Sequence, residues 1–156
     1  MGNICRSPTA EAVMAHLVDN AGLAERVIVD SAGTGSWHVG EPPDHRATAE
    51  ATRRGVPMRG TAVQFQAVDF ARFDLVLAMD ADNRRHLERL APDAESRAKV
   101  RLLRSFDPEA TGDLAVPDPY YGGTDGFRRV FDMVEAACRG LLDHLRDGPL
   151  LDGHRP

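Results

Sequence analysis

Apolar positions along the chain follow two periods, and their alternation outlines a fold. Ala10, Val13, Met14 and Leu17 recur at three- and four-residue spacing, which predicts a helix running to the stop at "NAGL". Ser7 suits the N-cap of that helix, Pro8 its first position, and Glu11 the positive end of its dipole. "RVIVDSAG" is a continuous apolar run stopped by Gly33 and predicts a short buried strand. "DHRATAEATRRGV" predicts a second helix, ended by Gly55. The strand "FDLVLAMD", the helix "ADNRRHLERLAP" and the strand "KVRLL" follow in turn. After the long loop "FDPEATGDLAVPDPYYGG", a last helix from about Thr124 to Leu145 puts Phe127, Val130, Val134, Cys138, Leu141 and Leu145 on one face. The closing stretch, 146–156, reads as a flexible tail.

Buried strands alternating with helices imply one domain, residues 1–156, of α/β class: a doubly wound parallel sheet with flanking helices. In such sheets ligands sit beyond the carboxyl ends of the strands, here Asp30-Ser31 and Met79-Asp80. Asp80 suits a place facing that site, a helix cap or an exposed position equally well. A helix that begins at Pro8 straight after a glycine-bearing loop ordinarily follows a strand. No residues of the given sequence supply one, so that first strand, central in the sheet by the family resemblance given below, is expected to be missing from it.

Composition narrows the chemistry. Hydrophobic residues make up 42% of the 156 and charged residues 28%, as in ordinary globular domains. A net charge of −5 with no basic block argues against a nucleic-acid partner. No apolar run matches a membrane span or a signal peptide, so no membrane partner is expected and the location is read as cytoplasmic. Cys5 and Cys138 are too few for a disulfide framework or a zinc cluster. The six histidines lack ligand spacing, and neither metal nor cofactor is expected. Lys99 is the sole lysine among 19 basic residues, the bias of a GC-rich bacterial genome. Nothing in the sequence speaks to oligomeric state.

The chemistry concentrates in "GNICRS". A loop feeding a helix start aims several backbone N–H groups at one spot, where the dipole adds positive potential. Arg6 offers a planar fork to two anion oxygens. Asn3 suits a left-handed backbone position, and Gly2 lets the chain approach a ligand closely. The natural guest is a divalent oxyanion.

"GNICRSPTAE", "DSAGTGSW" and "VPDPYYGG" resemble, in order and approximate spacing, the three landmark segments of the low-molecular-weight protein tyrosine phosphatase family. The resemblance covers essentially the whole chain. It implies hydrolysis of aryl phosphate monoesters, phosphotyrosine in proteins above all, through a cysteinyl-phosphate intermediate. The main-chain amides of Gly2, Asn3, Ile4, Cys5, Arg6 and Ser7, residues 1–7 being the phosphate loop, would bind the phosphoryl group. Arg6 would clamp the transition state, Ser7 would lower the nucleophile's pKa, and Asn3 with Ser31 would hold the loop's shape. Asp118 would be the general acid, while Trp37, Tyr120 and Tyr121 would wall the slot for the substrate ring. Aromatic walls select aryl esters by packing, and a carboxyl beside a proline can be held near the ester oxygen.

The family's nucleophile is the first cysteine of a C-x5-R signature, and counting back from Arg6 places it immediately before Met1. Cys5 adjoins Arg6, and in the family the equivalent residue is a second, redox-protective cysteine. In-line displacement at phosphorus demands near-linear geometry, so Cys5 is a poor stand-in. The chain as given is therefore expected to be inactive or nearly so. A non-catalytic phosphotyrosine- or phosphate-binding module is the alternative. An arsenate reductase is disfavoured because no further cysteines lie near residues 70–80. "MGNIC" also resembles an acylation signal, but Arg6 stands where the pattern asks for Ser or Thr. Gly60 and "AVQ" depart from the family's His and "ARQ" segment. Cys138 reads as a small core residue.

Overall fold

The computed structural model describes residues 2–152. Its longest element, α5 (Thr124–Asp147), buries Phe127, Val130, Phe131, Val134, Ala137, Cys138, Leu141, Leu142 and Leu145 along one face. Helix α1 (Arg6–Asn20) lies against it and contributes Val13, Met14 and Val18 to the same core. Each such side chain is worth roughly 1.5–3 kcal/mol when fully buried, so this helix pair anchors the molecule. Gly140 marks where α5 presses on the 3-10 turn Leu103–Phe106: a Cβ there would stand 1.8 Å from the Phe106 carbonyl oxygen.

Strands β1 (Val76–Ala78) and β2 (Val100–Leu102) pair in parallel, Val76 opposite Val100 and Ala78 opposite Leu102. The crossover between them carries α3 (Ala81–Leu90) and α4 (Ala94–Ala98). Both helices start at aspartates, Asp80 accepting from Asn83 N–H and Asp93 from Ser96 N–H. Helix α2 (His45–Arg53) is capped by Asp44 and stops before Gly55, whose φ of +72° ends it. These elements make an α/β fold with a parallel sheet and flanking helices, as the alternating periods imply.

Three sequence expectations change. Helix α1 begins at Arg6 with Cys5 in the cap position, so Ser7 and Pro8 both lie inside the first turn, and Glu11 falls beyond it. The Ser7 hydroxyl serves the neighbouring loop instead, accepting from Asn3. "RVIVDSAG" is not a paired strand: Gly33 makes a single parallel bridge to Gln64, and Ile28 is 86% exposed. Among the described residues no backbone ladder joins this stretch to β1. An apolar run predicts burial, but a strand exists only where a neighbour offers unpaired amides and carbonyls. Here Val27–Ser31 and Asp74–Met79 both line a cavity of about 1540 Å³, together with Met14, Cys138 and Leu141. Finally, the stretch expected as a flexible tail is helical as far as α6 (Pro149–Asp152). Leu151 is buried there, and its carbonyl accepts from Arg26, a contact that no local pattern announces. Residues 153–156 lie outside the described residues.

Candidate active site

The loop before α1 curls because Asn3 takes a left-handed conformation, φ 60°. Its side chain, 5% exposed, ties three segments together. Asn3 Nδ2 donates to Ser7 Oγ at 2.8 Å and to Ser31 Oγ at 3.0 Å, while Oδ1 accepts from Val63 N–H at 3.0 Å. Ser31 Oγ in turn donates to the Glu11 carboxyl. Burial raises the pKa of Glu11 above the ordinary range; the Ser31 bond opposes this and Asp30 adds to it. Ile4 is held from its carbonyl side, accepting from Asp44 N–H at 2.7 Å. A Cβ on Gly2 would stand 2.4 Å from the His38 ring, so any larger residue there would have to displace that ring. No side chain caps α1, so the first-turn N–H groups are free to point at a ligand.

Arg6 is buried at the tip of this cradle, 5% exposed. Its Nη1 donates to Asp80 Oδ2 at 2.6 Å and to the Val116 carbonyl at 2.8 Å. Asp80 thus caps α3 with one oxygen and holds Arg6 with the other. Burial opposes its ionisation, but the Asn83 and Arg6 hydrogen bonds together outweigh that and hold the carboxyl below its usual range. The loop carrying Asp118 reaches the same point, its course set by a bond from Val116 N–H to the Met79 carbonyl at 2.7 Å. Asp118 Oδ2 lies 3.9 Å from Arg6 Nη2, and Oδ1 accepts from Tyr120 N–H at 3.0 Å, a local turn that fixes the carboxyl's direction.

Aromatic side chains stand around the mouth. Trp37 is 61% exposed and lies across Gly35, where a Cβ would stand 1.9 Å from the indole. Tyr120 is half-exposed, 6.2 Å from the His38 ring and edge-on to Tyr121 at 4.9 Å. Tyr121 itself is 98% exposed, so it touches only the outermost rim. All the site residues expected from the sequence line the one cavity: Gly2 to Ser7, Ser31, Trp37, Asp118, Tyr120 and Tyr121.

The two thiols sit in unreactive surroundings. Burial first, then the charges of Asp44 and Asp118, push Cys5 up to about 12. Burial does the same to Cys138, also to about 12, on the core face of α5. A thiol held that high is neutral near pH 7 and a poor nucleophile.

Sequence reading missed Glu11's carboxyl as an anchor for Ser31, and it missed Arg46 altogether. Only the Asp-x-Arg spacing at a helix start hinted at Arg46, and that pattern ordinarily signals a cap. Among the described residues no group of three or more His, Cys, Asp or Glu side chains is arranged to hold a metal ion.

A left-handed turn at Asn3, a helix start, a buried guanidinium and a loop carboxyl meet at one point of an α/β fold, an arrangement chemically suited to phosphoryl-type anions. The family model for low molecular weight phosphotyrosine protein phosphatase matches residues 1–149. A low molecular weight protein-tyrosine-phosphatase of Streptomyces coelicolor is 56% identical over 147 residues, covering 94% of this chain and 90% of that protein. The human low molecular weight phosphotyrosine protein phosphatase is 42% identical over 144 residues, covering 92% and 90%. The crystal structure of a protein tyrosine phosphatase from Entamoeba histolytica, with Hepes in its active site, matches at TM-score 0.91 and 40% identity, covering 95% and 94%. The chain belongs to the low molecular weight phosphotyrosine protein phosphatase family and is a protein-tyrosine phosphatase by that membership.

Proposed function

We propose that the domain to which residues 1–156 belong hydrolyses phosphotyrosine in protein substrates through a cysteinyl-phosphate intermediate, and that residues 1–156 by themselves are inactive or nearly so. The amides of residues 2–7 and the Arg6 fork bind the three phosphoryl oxygens, and Asp118 carries a proton to the bridging oxygen. The nucleophile is a cysteine one residue ahead of Met1, at the end of a parallel strand lying in the cavity between Val27–Ser31 and β1. Its thiolate attacks phosphorus in line, the bond from phosphorus to the aryl oxygen breaks, and the phenol departs with the proton of Asp118. Water then attacks the cysteinyl phosphate, Asp118 takes up its proton, and inorganic phosphate leaves with the thiolate restored. The observation that carries this reading is the approach of Asp118 to the free edge of Arg6, 3.9 Å, at the tip of the cradle. Trp37 and Tyr120 supply flat walls for an aryl group. A cytoplasmic site of action belongs to the same proposal and rests on composition. Among the described residues no helix is long and apolar enough to cross a membrane.

Two assays test the reading. Residues 1–156 expressed alone should hydrolyse aryl phosphates only at trace rates, because Cys5 is buried and protonated; family-like turnover would place the chemistry on Cys5. In a chain carrying the upstream strand and cysteine, Asp118→Ala should slow esters with poor leaving groups about 10²–10⁴-fold. An unchanged rate removes Asp118 from the acid role. A binding-only module is the second reading, favoured by a cradle that the described residues complete without a reactive thiol. Calorimetric binding of a phosphotyrosyl peptide without turnover, in the chain carrying the upstream cysteine, would support it.

A further inference from the structure

We propose that Arg46 is a positioning residue for the general acid: it couples the phosphate cradle to the loop that carries Asp118. The inference rests on the phosphatase reading above and adds to it a residue that the loop motifs do not contain. Asp44 N–H bonds the cradle at the Ile4 carbonyl, and the Asp44 carboxylate, 8% exposed, grips Arg46. Arg46 Nε donates to Asp44 Oδ1 at 3.0 Å and Nη2 to Oδ2 at 2.9 Å, a bidentate fork. Arg46's hydrogen bond leads the effects that hold the Asp44 carboxyl below its usual range, against the cost of burial. The far side of the same guanidinium reaches the acid loop. Nη2 donates to the Tyr120 carbonyl at 2.9 Å and Nη1 to the Gly122 carbonyl at 3.3 Å.

Its plane is also clamped by rings, with the guanidinium carbon 4.6 Å from the Phe127 centroid and 5.8 Å from that of Tyr120. Phe127 is 4% exposed on the first turns of α5, so one wall of the clamp belongs to the core. The covalent path from Tyr120 to Asp118 is two residues, and the Tyr120 N–H is the group that orients the Asp118 carboxyl. Moving the Tyr120 carbonyl therefore rotates the peptide units that aim the acid. Arg104 holds the other end of the loop through the carbonyls of Asp113 and Ala115, both at 3.1 Å. Beside the carboxyl the loop is tied to the cradle from both sides, through the Val116 carbonyl to Arg6 before it and through Arg46 after it, and only the Arg46 side carries the N–H that bonds the carboxyl itself. A lysine at position 46 keeps the charge but cannot grip Asp44 with a fork and still reach two carbonyls.

The test uses two esters in a chain carrying the cysteine ahead of Met1. p-Nitrophenyl phosphate has a leaving group that needs little protonation, and phenyl phosphate has one that does. In Arg46→Ala, kcat/KM for phenyl phosphate should fall about 10–100-fold while the p-nitrophenyl ester changes less than about threefold. Arg46→Lys should fall between the two. Loss of the aromatic wall affects both esters alike and cancels in the ratio, so the leaving-group selectivity reads the acid alone. Equal losses for the two esters, or none, overturn the proposal. If Arg46→Ala does not fold by circular dichroism, Asp44→Asn takes its place: it keeps the helix cap and removes the charge that anchors the fork. The same selective loss is expected from it, and an even loss again overturns the proposal. Should the cysteine-bearing chain without these substitutions hydrolyse neither ester, the phosphatase reading fails and this inference with it. Turnover of both esters with even losses in the variants removes only Arg46's role.

Discussion

Replacing Arg6 by lysine isolates what the guanidinium fork contributes beyond its charge. Arg6 Nη1 spends both of its hydrogens, one on Asp80 and one on the Val116 carbonyl. Three N–H groups are left on Nε and Nη2, and Nη2 is the nitrogen nearest Asp118. That free edge is the one a phosphoryl group would meet. A lysine ammonium has three hydrogens in all. Two are needed to keep Asp80 and Val116 satisfied, which leaves one for the substrate instead of a fork. The loss is one to two charge-assisted hydrogen bonds, about 2–4 kcal/mol, or about 30- to 1000-fold in kcat/KM. The assay is steady-state hydrolysis of phenyl phosphate by a chain carrying the cysteine, with circular dichroism as the folding control. Inorganic phosphate affinity, followed through Trp37, the sole tryptophan, should fall less, about tenfold at most, because the fork matches the flattened oxygens of the transition state better than a tetrahedral ground state. A kcat/KM within threefold of the parent would refute the reasoning, as would a phosphate affinity that falls as far as the rate.

Glu50, its side chain 8% exposed, is held at about 2, first by the Arg53 hydrogen bond and then by that of Arg54, against the cost of burial. Its folded pKa lies below the ordinary 4.5, so its stabilisation is complete above about pH 4.5 and is lost as pH falls toward 2. Arg53 is 57% exposed, so screening leaves about 1–2 kcal/mol. Urea midpoints of Glu50→Gln and parent should differ at pH 7 and converge near pH 2; a gap constant with pH contradicts the linkage. Asn3→Ala loses three hydrogen bonds and places alanine at φ 60°, a strain of about 1–2 kcal/mol, whereas Asn3→Gly loses the bonds alone. Thermal melts should rank parent, Gly, Ala, and equal melts for Gly and Ala would show that the left-handed position carries no strain. Gly35→Ala forces the Trp37 indole away and should reduce preference for aryl over alkyl phosphates about 2–10-fold, with a changed emission maximum. Unaltered preference would take Trp37 out of the wall.

The helices were legible because they carry their own instructions. Asp44 and Gly55 bracket α2, Asp80 starts α3, and the α5 stripe from Phe127 to Leu145 repeats at the period of a helix that buries one face. The same local grammar misplaced the start of α1. Ser7 looks like a cap, but its hydroxyl is claimed by Asn3, and that choice depends on the loop's curl. Asp80 was legible as a cap and ambiguous as a site residue, since its partner Arg6 is 74 positions away. Arg46 was illegible for a similar reason: its partners Tyr120 and Gly122 are distant in sequence and offer only backbone carbonyls, which every residue possesses.

On its own, the sequence determined the periods of its helices, the glycine and asparagine that let residues 2–7 bend, and the identity of the side chains able to hold an oxyanion. Those properties reside in single residues and their near neighbours. Tertiary structure alone decided that Val27–Ser31 lines a cavity, that Arg6 and Asp118 face one another, and that Arg46 spans from cradle to acid loop. A backbone donor or a guanidinium acquires its function from whatever the fold brings within about 3 Å, and no local spacing encodes that.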